Sequence, residues 1–359
     1  MTTPILQRPP AETLHAEELF ALRQHDKGPK PPGWSLSMPA VRGFILGTDG
    51  ARPKIVCAPS LIERALVTLA SNRALLLVGE PGTAKSLLSE LLAAAICGTS
   101  TLTIQGSAAT TEDQIKYGWN YALLLNEGPS RRALVPSPLY RAMAAGKIAR
   151  FEEITRCPPE VQDALLSILS ERLLMVPELA DEGLVFAAPG FNLIATANTR
   201  DRGVNEMSAA LKRRFSFETV FPIRDYEQEL ALVTAEVARL LAHDQVPVRP
   251  PQEVLEVLVT TFRELREGIG QDGAASEKLS TVVSTAEAVS VGYSVALRGY
   301  YLRGDGGEPA DIVEALVGAA AKDNADDVKK LRRYIEHRVG KRKGEHWQAF
   351  YAARHRLPE

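Results

Sequence analysis

Apolar positions along this 359-residue chain fall into two regimes. Between residues 74 and 221, short apolar runs alternate with helical stripes; beyond Pro222 only helical stripes recur. The runs are Ala74 to Val78, Lys147 to Phe151, Asn192 to Ala197 and Phe217 to Phe221, and each reads as a strand. After the first run, Leu88, Leu91, Leu92, Ala95 and Ile96 form a helical pattern. Val161, Ala164, Leu165, Ile168 and Leu169 make a stripe at i, i+3, i+4, i+7 and i+8, with Pro158 and Pro159 at its start. Pro59-Ser60 opens a further helix with Leu61, Ile62, Ala65, Leu66 and Leu69 on one face. Helices between strands are what a parallel sheet requires of its crossovers. The pattern therefore predicts an α/β domain with a parallel sheet flanked by helices, followed by a smaller all-helical domain.

Boundaries follow from the punctuation. Residues 1–37 read as an extension, with prolines at 4, 9, 10, 31 and 32 around one helical stretch of Leu14, Leu19, Phe20 and Leu22. The α/β domain spans 38–221 and the helical domain 222–305, where Val254, Leu258, Phe262 and Leu265 recur on one face. Residues 306–359 carry a basic run, yet Val328, Leu331, Ile335 and Val339 share a helical face within it, so an amphipathic helix with a solvated basic side is expected. Two inserts interrupt the α/β pattern. Residues 106–136 hold Tyr117, Trp119 and Tyr121 before Leu123-Leu124-Leu125 and read as a hairpin or a small insert; residues 171–190 centre on Glu182-Gly183 and read as a hairpin.

Composition narrows the class. With 45% apolar residues the chain can bury a large core and a smaller one. A net charge of −2 makes no overall electrostatic case for nucleic acid. Cys57, Cys97 and Cys157 show no metal-ligand spacing, which suits a reducing, cytoplasmic setting. No apolar run approaches the roughly 18 residues of a membrane helix, and the N-terminus carries no signal-peptide core.

The chemistry concentrates where the strands end. Gly79-Glu80-Pro81-Gly82-Thr83-Ala84-Lys85-Ser86 follows the first strand and, with Leu87, opens a helix. Strand, glycine-rich turn, lysine, hydroxyl and helix make a phosphate-binding loop: backbone N–H groups curl around the anion and the helix N-terminus adds its dipole. Lys85 is expected to reach the β- and γ-phosphates and Ser86 to ligate Mg²⁺. Ala84 stands where a third glycine is usual. Glu152 and Glu153 close the second strand, where an open α/β sheet places its ligand. Glu152 is placed to hold Mg²⁺ through its water shell, and Glu153 to take a proton from, or orient, the attacking water. Asn198 ends the third strand, where its amide can donate to the γ-phosphate or the water. Arg213 and Arg214 precede the fourth strand and suit charge stabilisation across a subunit boundary.

With these residues the chain resembles the AAA+ ATPases, and within them the MoxR family. The matching stretches are 79–86, Phe-Glu-Glu-Ile-Thr-Arg at 151–156, Ile-Ala-Thr-Ala-Asn at 194–198 and Leu-Lys-Arg-Arg-Phe at 211–215. The resemblance covers about residues 40 to 300, and an alanine before the loop lysine is common in that family. It implies that Lys85 and Ser86 are the Walker A pair, Asn198 is sensor 1, and Arg214 is the arginine finger with Arg213 as second candidate. Two positions depart from the family: Glu152 replaces the usual aspartate, and Ser284-Thr285-Ala286 lacks the sensor 2 arginine, for which Arg298 is the substitute.

The resemblance further implies an ATP hydrolase with Mg²⁺, active as a ring and by analogy a hexamer, that remodels a protein partner in a chaperone-like way. Relatives often act with von Willebrand A domain proteins, and their inserts face a central pore or a partner. Two other readings stand beside this one: an ATP-binding switch or scaffold with negligible hydrolysis, and a DNA-acting motor.

Overall fold

The computed structural model describes residues 6–47, 53–198, 205–281, 283–322 and 324–358. Residues 1–5 of the expected extension, Pro4 among them, lie outside the described residues. Two compact units result: residues 1–79 with 84–220, and residues 80–83 with 221–359.

The first unit is built on a parallel five-stranded sheet. Its strands are β1 (Ala74–Gly79), β2 (Thr103–Gln105), β5 (Ile148–Glu152), β8 (Asn192–Asn198) and β9 (Phe215–Thr219), in the order β2-β5-β8-β1-β9. Register runs Leu76↔Ala195 and Gly79↔Asn198 between β1 and β8, and Phe151↔Ala195 between β5 and β8. Alternation along a strand sends successive side chains to opposite faces. Leu75, Leu77, Ile148 and Ile194 join the core formed with the helices Met38–Leu46, Pro59–Ala70 and Lys85–Cys97. Leu76, Ala149, Phe151, Leu193 and Ala195 join the core on the other face, with the helices Pro138–Ala145 and Leu165–Glu171.

The N-terminal segment packs on the first of these cores, through Ala11 and Leu19, while Phe20 is exposed. Glu90, on the helix Lys85–Cys97, accepts the Ala11 N–H (3.0 Å) and pairs with Arg8 (3.2 Å).

Three sequence expectations shift. The fourth strand runs Phe215–Thr219 rather than Phe217 to Phe221, because Ala74 pairs with Phe215 and Val220 donates to the Val78 carbonyl as the chain leaves the sheet. Phe221 is exposed. The second strand runs Ile148–Glu152 rather than starting at Lys147, with Glu152 as its last residue. The stripe from Val161 to Leu169 is divided into helices Pro159–Asp163 and Leu165–Glu171, with Ala164 between them.

Both inserts form small antiparallel ribbons. In the first, β3 (Tyr117–Trp119) pairs with β4 (Leu134–Pro136). Tyr121 does not extend that strand: Asn120 caps a helix Tyr121–Glu127, its side chain accepting the Leu123 N–H. This helix buries none of its residues, and Leu125 is 89% exposed. In the second, β6 (Leu173–Met175) pairs with β7 (Leu184–Phe186). The two inserts meet through Tyr117, whose hydroxyl donates to Glu178 (2.9 Å), and Arg131, which donates to the Glu182 carbonyl (2.7 Å).

Among its described residues the second unit is helical, with one isolated bridge between Ile269 and Ala275. Its six longest helices are Tyr226–His243, Gln252–Glu267, Thr285–Arg303, Pro309–Leu316, Ala325–His337 and Glu345–Ala352. One core joins Val237, Leu258, Phe262 and Val295 to Leu331, Tyr334 and Phe350, so residues beyond 306 share it with those before. On Ala325–His337, Leu331 and Ile335 are buried while Lys329 and Arg333 face solvent. The buried carboxylate of Glu229 is matched by Arg263 (3.0 Å), Arg266 (2.8 Å) and the Thr285 hydroxyl (2.6 Å), the pairing that a buried charge requires. Among the described residues no helix is long and apolar enough to cross a membrane.

Candidate functional site

The turn after β1 has the backbone that an anion cradle requires. Gly82 has φ 75° and Ala84 has φ 65° and ψ 24°, both left-handed. A Cβ in that region costs about 1–2 kcal/mol, so Ala84 shows that the loop geometry is imposed in spite of its residue. Ala84 is the N-cap of the helix Lys85–Cys97, whose first turn presents N–H groups without helical partners. Pro81 precedes Gly82 in this turn, and the Thr83 hydroxyl donates to the Glu80 carbonyl (2.9 Å), closing it on itself. Lys85 is buried and its Nζ donates to the Gly79 carbonyl (3.1 Å). Leu87 is 40% exposed.

Glu152 sits at the end of β5 on the sheet face that receives this helix, and only 5% of it is exposed. Four donors converge on its carboxylate. Ser86 Oγ (2.6 Å) and Thr196 Oγ1 (2.8 Å) donate to Oε2; Ser89 Oγ (2.6 Å) and an Arg150 nitrogen (2.8 Å) donate to Oε1. Burial by itself raises the pKa of this group, but the hydroxyls and the Arg150 guanidinium outweigh it and hold the carboxyl below its ordinary value of 4.5. The group is therefore a carboxylate at neutral pH. Since Ser86 spends its proton on Glu152, its oxygen lone pairs remain free to ligate a cation.

That donor set fits Mg²⁺, which takes one or two protein oxygens and fills its octahedron with water and phosphate. Ser86 supplies the oxygen, and Glu152 the negative charge beside it.

Glu153, the next residue, is also left-handed, with φ 54° and ψ 45°. Its N–H donates to Thr196 Oγ1 (3.0 Å), so one threonine hydroxyl fixes both carboxylate residues. The Glu153 carboxylate pairs with Arg156 (2.7 Å). Asn198 ends β8 in register with Gly79, at the same edge of the sheet as Glu152. The sheet thus brings Gly79, Lys85, Ser86, Glu152, Glu153 and Asn198 to one edge.

Three predicted residues stand elsewhere. Arg214 donates from Nε to Ser170 Oγ (2.9 Å) and from a terminal nitrogen to the Ala210 carbonyl (3.1 Å), while Arg213 is exposed. Arg298 belongs to the second unit, where it pairs with Asp311 (3.1 Å) and Glu314 (2.7 Å). The helix on which it lies begins at Thr285, with Ser284 and Glu287 forming a capping box.

Four positions escaped the sequence reading. Arg150 alternates with Ile148 and Glu152, so period-2 counting places it on the Glu152 face. Ser89 follows Ser86 at i+3, which aligns the two hydroxyls on one side of the helix. Thr196 interrupts an apolar strand beside Glu152. Gly106 follows β2, and its N–H donates to the Glu152 carbonyl (2.7 Å). A Cβ there would lie 2.4 Å from the Glu153 carbonyl oxygen, so only glycine lets the chain pass.

Residues 74–215 match the AAA domain of the dynein-related subfamily, and residues 227–358 match the YehL-like AAA+ ATPase C-terminal domain. The chain is 61% identical to the protein YehL of Escherichia coli (strain K12) over 356 residues, covering 98% of each. It is 31% identical over 144 residues to a protein of Staphylococcus haemolyticus, covering 40% of this chain and 54% of that one. Among solved structures, NtrX from Brucella abortus in complex with ATP aligns with a TM-score of 0.46 at 14% identity, over 85% of this chain and 68% of that one. An AAA domain followed by a YehL-like C-terminal domain, with near-complete coverage of YehL itself, makes this chain a member of the YehL-like AAA+ ATPases.

Proposed function

We propose that the chain binds ATP with Mg²⁺ at the 79–86 loop and hydrolyses it, in the manner of the MoxR group of AAA+ proteins. The observation that carries this reading is the Ser86 hydroxyl donating to an ionised, buried Glu152, beside a loop held left-handed at Gly82 and Ala84. Lys85 exchanges the Gly79 carbonyl for phosphate oxygens, and the loop N–H groups enclose them. Bound there, Mg²⁺ would neutralise charge on the β- and γ-phosphates. Glu153 orients the attacking water or takes its proton, and Asn198 donates to the water or the γ-phosphate. Arg214, with Arg213 as second candidate, stabilises the transferring group of a neighbouring subunit, which makes the active species a ring and by analogy a hexamer. Arg298 reaches phosphate only by giving up Asp311 and Glu314.

The work done with ATP is remodelling of a protein partner in the cytoplasm. Exposed apolar side chains on the two inserts support that step: Tyr121, Leu125 and Val135 on one, Met175, Leu184 and Phe186 on the other. Clustered apolar surface of this kind marks a contact site for protein. A von Willebrand A domain protein is the partner class that the family resemblance suggests.

A second reading is favoured by one observation: the Glu153 carboxylate is already held by Arg156. A switch that binds ATP and hydrolyses it negligibly until a partner moves Arg156 would look the same. Phosphate release per subunit, measured over a wide range of protein concentration, separates the two. Turnover that rises and saturates with concentration, and that vanishes in Lys85→Ala and Glu153→Gln, supports hydrolysis between subunits. Tight ATP binding with no turnover at any concentration supports the switch. No nucleotide binding by the wild type would refute both.

A further inference from the structure

Arg150 is an arginine with 8% exposure in a fully buried strand whose other residues, apart from Glu152, are apolar. Burying a guanidinium is unfavourable unless its donors are matched, and here they are. Nε donates to Ser89 Oγ (2.9 Å), one terminal nitrogen to the Ser100 carbonyl (2.9 Å), and the other to Glu152 Oε1 (2.8 Å) and the Ser86 carbonyl (3.1 Å). Ser89 Oγ also donates to Oε1 (2.6 Å). The two oxygens of Glu152 are thus divided: Oε1 is tied to Arg150 and Ser89, and Oε2 alone faces Ser86 and Thr196.

The division answers the length of the residue. A glutamate carries its carboxylate one C–C bond, about 1.5 Å, further from the strand than an aspartate. An unrestrained longer side chain has more rotamers and would not hold Oε2 on Ser86. We propose that Arg150, assisted by Ser89, is the positioning residue that fits a glutamate to position 152, anchoring Oε1 so that Oε2 orients Ser86 toward the cation. Arg150 and Glu152 then form a matched pair. An aspartate at 152 spans either Arg150 and Ser89 or Ser86 and Thr196, but not both sets. Replacing Arg150 as well releases the shorter carboxylate for Ser86 and Thr196.

The inference rests on the nucleotide reading above, and the test separates the two. ADP binding to the full chain is measured calorimetrically with and without Mg²⁺, and the ratio of the two affinities is the readout. The loop holds phosphate without the cation, so a change confined to packing leaves the ratio unmoved. Glu152→Asp is expected to lower the ratio about tenfold or more, the scale of a lost charge-assisted hydrogen bond. Arg150→Met combined with Glu152→Asp is expected to restore it to within about threefold of wild type. Should Arg150→Met unfold the chain, Ser89→Ala combined with Glu152→Asp tests the same anchor and is expected to recover part of the loss. A Glu152→Asp ratio equal to wild type, or double variants no better than Glu152→Asp alone, overturns the matched pair while leaving the nucleotide site intact. A wild type that binds no ADP in either condition overturns the site itself, and the pair with it.

Discussion

Thr196→Val is the sharpest probe of the sheet edge, because one hydroxyl serves both carboxylate residues. Valine keeps the shape of a side chain that is 2% exposed and removes only the oxygen. Two bonds are lost. The first is donation to ionised Glu152 at 2.8 Å, worth about 1.5–3 kcal/mol as a bond to a charged group. The second is acceptance of the Glu153 N–H at 3.0 Å, where a partly exposed residue regains water and the loss is at the low end of about 1–3 kcal/mol. Together they destabilise the first unit by about 2–4 kcal/mol, measured by urea denaturation. The second bond also opposes the left-handed strain at Glu153, about 1–2 kcal/mol for an L-residue. Without it the backbone relaxes and the Glu153 carboxylate moves. Misplacement of a reacting group by an ångström costs on the order of a hundredfold, so turnover is expected to fall by about ten- to a hundredfold while ADP still binds. Thr196→Ser keeps the oxygen and is expected to retain most of the turnover. The reasoning fails if valine lowers stability but leaves turnover within about twofold, since Glu153 would then be placed by something else. It fails equally if serine, which keeps the oxygen, is as damaging as valine, because the hydroxyl would then not suffice to place Glu153.

Gly106→Ala forces a Cβ to within 2.4 Å of the Glu153 carbonyl and 2.9 Å of the Glu152 carbonyl, both backbone atoms. A loss of about 1–3 kcal/mol is expected, read as a drop in melting temperature, with turnover reduced further than stability explains. Glu152 has a folded pKa below its unfolded value of 4.5, so its contribution is complete above that pH and disappears as pH falls through the folded value. Wild type should therefore exceed Glu152→Gln in denaturation midpoint at pH 7, and the gap should narrow below pH 4.5; a constant gap would contradict the ionised, hydrogen-bonded state. Arg214→Ala is expected to bind ATP without turnover, and mixing it with Glu153→Gln should restore part of the activity through hybrid interfaces. No recovery in any mixture would place the arginine's action within its own subunit.

Four of the five sheet strands were readable because each carries a run of apolar residues with chemistry beside it; the short β2 (Thr103–Gln105) was missed, and the order β2-β5-β8-β1-β9 is set by pairing that no single run displays. Gly79, Ser86, Glu152 and Asn198 sit at strand or helix ends, and topology alone brings such ends to one edge. Two further kinds of feature were not readable. Ends of elements shifted where pairing with a neighbour decides them, as when Ala74 draws Phe215 into β9. The tyrosine at 121 fits a strand by alternation, but the preceding asparagine caps a helix, and local capping prevailed. The Arg150, Ser89 and Thr196 network escaped for a different reason. Each is a polar residue in an apolar pattern, which alternation marks as unusual, yet only the packed helix shows that all three meet on one carboxylate.

The ribbon of β6 and β7 is apolar on both sides. Leu174 and Val185 are buried, while Met175, Leu184 and Phe186 face outward. In most half-buried strands a slip of one residue exposes the core and is strongly opposed. Here a slip exchanges one apolar set for another, so burial does little to enforce pairing. Alignment rests instead on the two ends, where Val176 donates to the Gly183 carbonyl (2.8 Å) and Ala187 to the Arg172 carbonyl (2.8 Å). Such a ribbon can gain, lose or exchange residues between those anchors at small cost to the domain beneath it. The exposed side chains of the ribbon can therefore change without disturbing the sheet edge that carries Ser86 and Glu152.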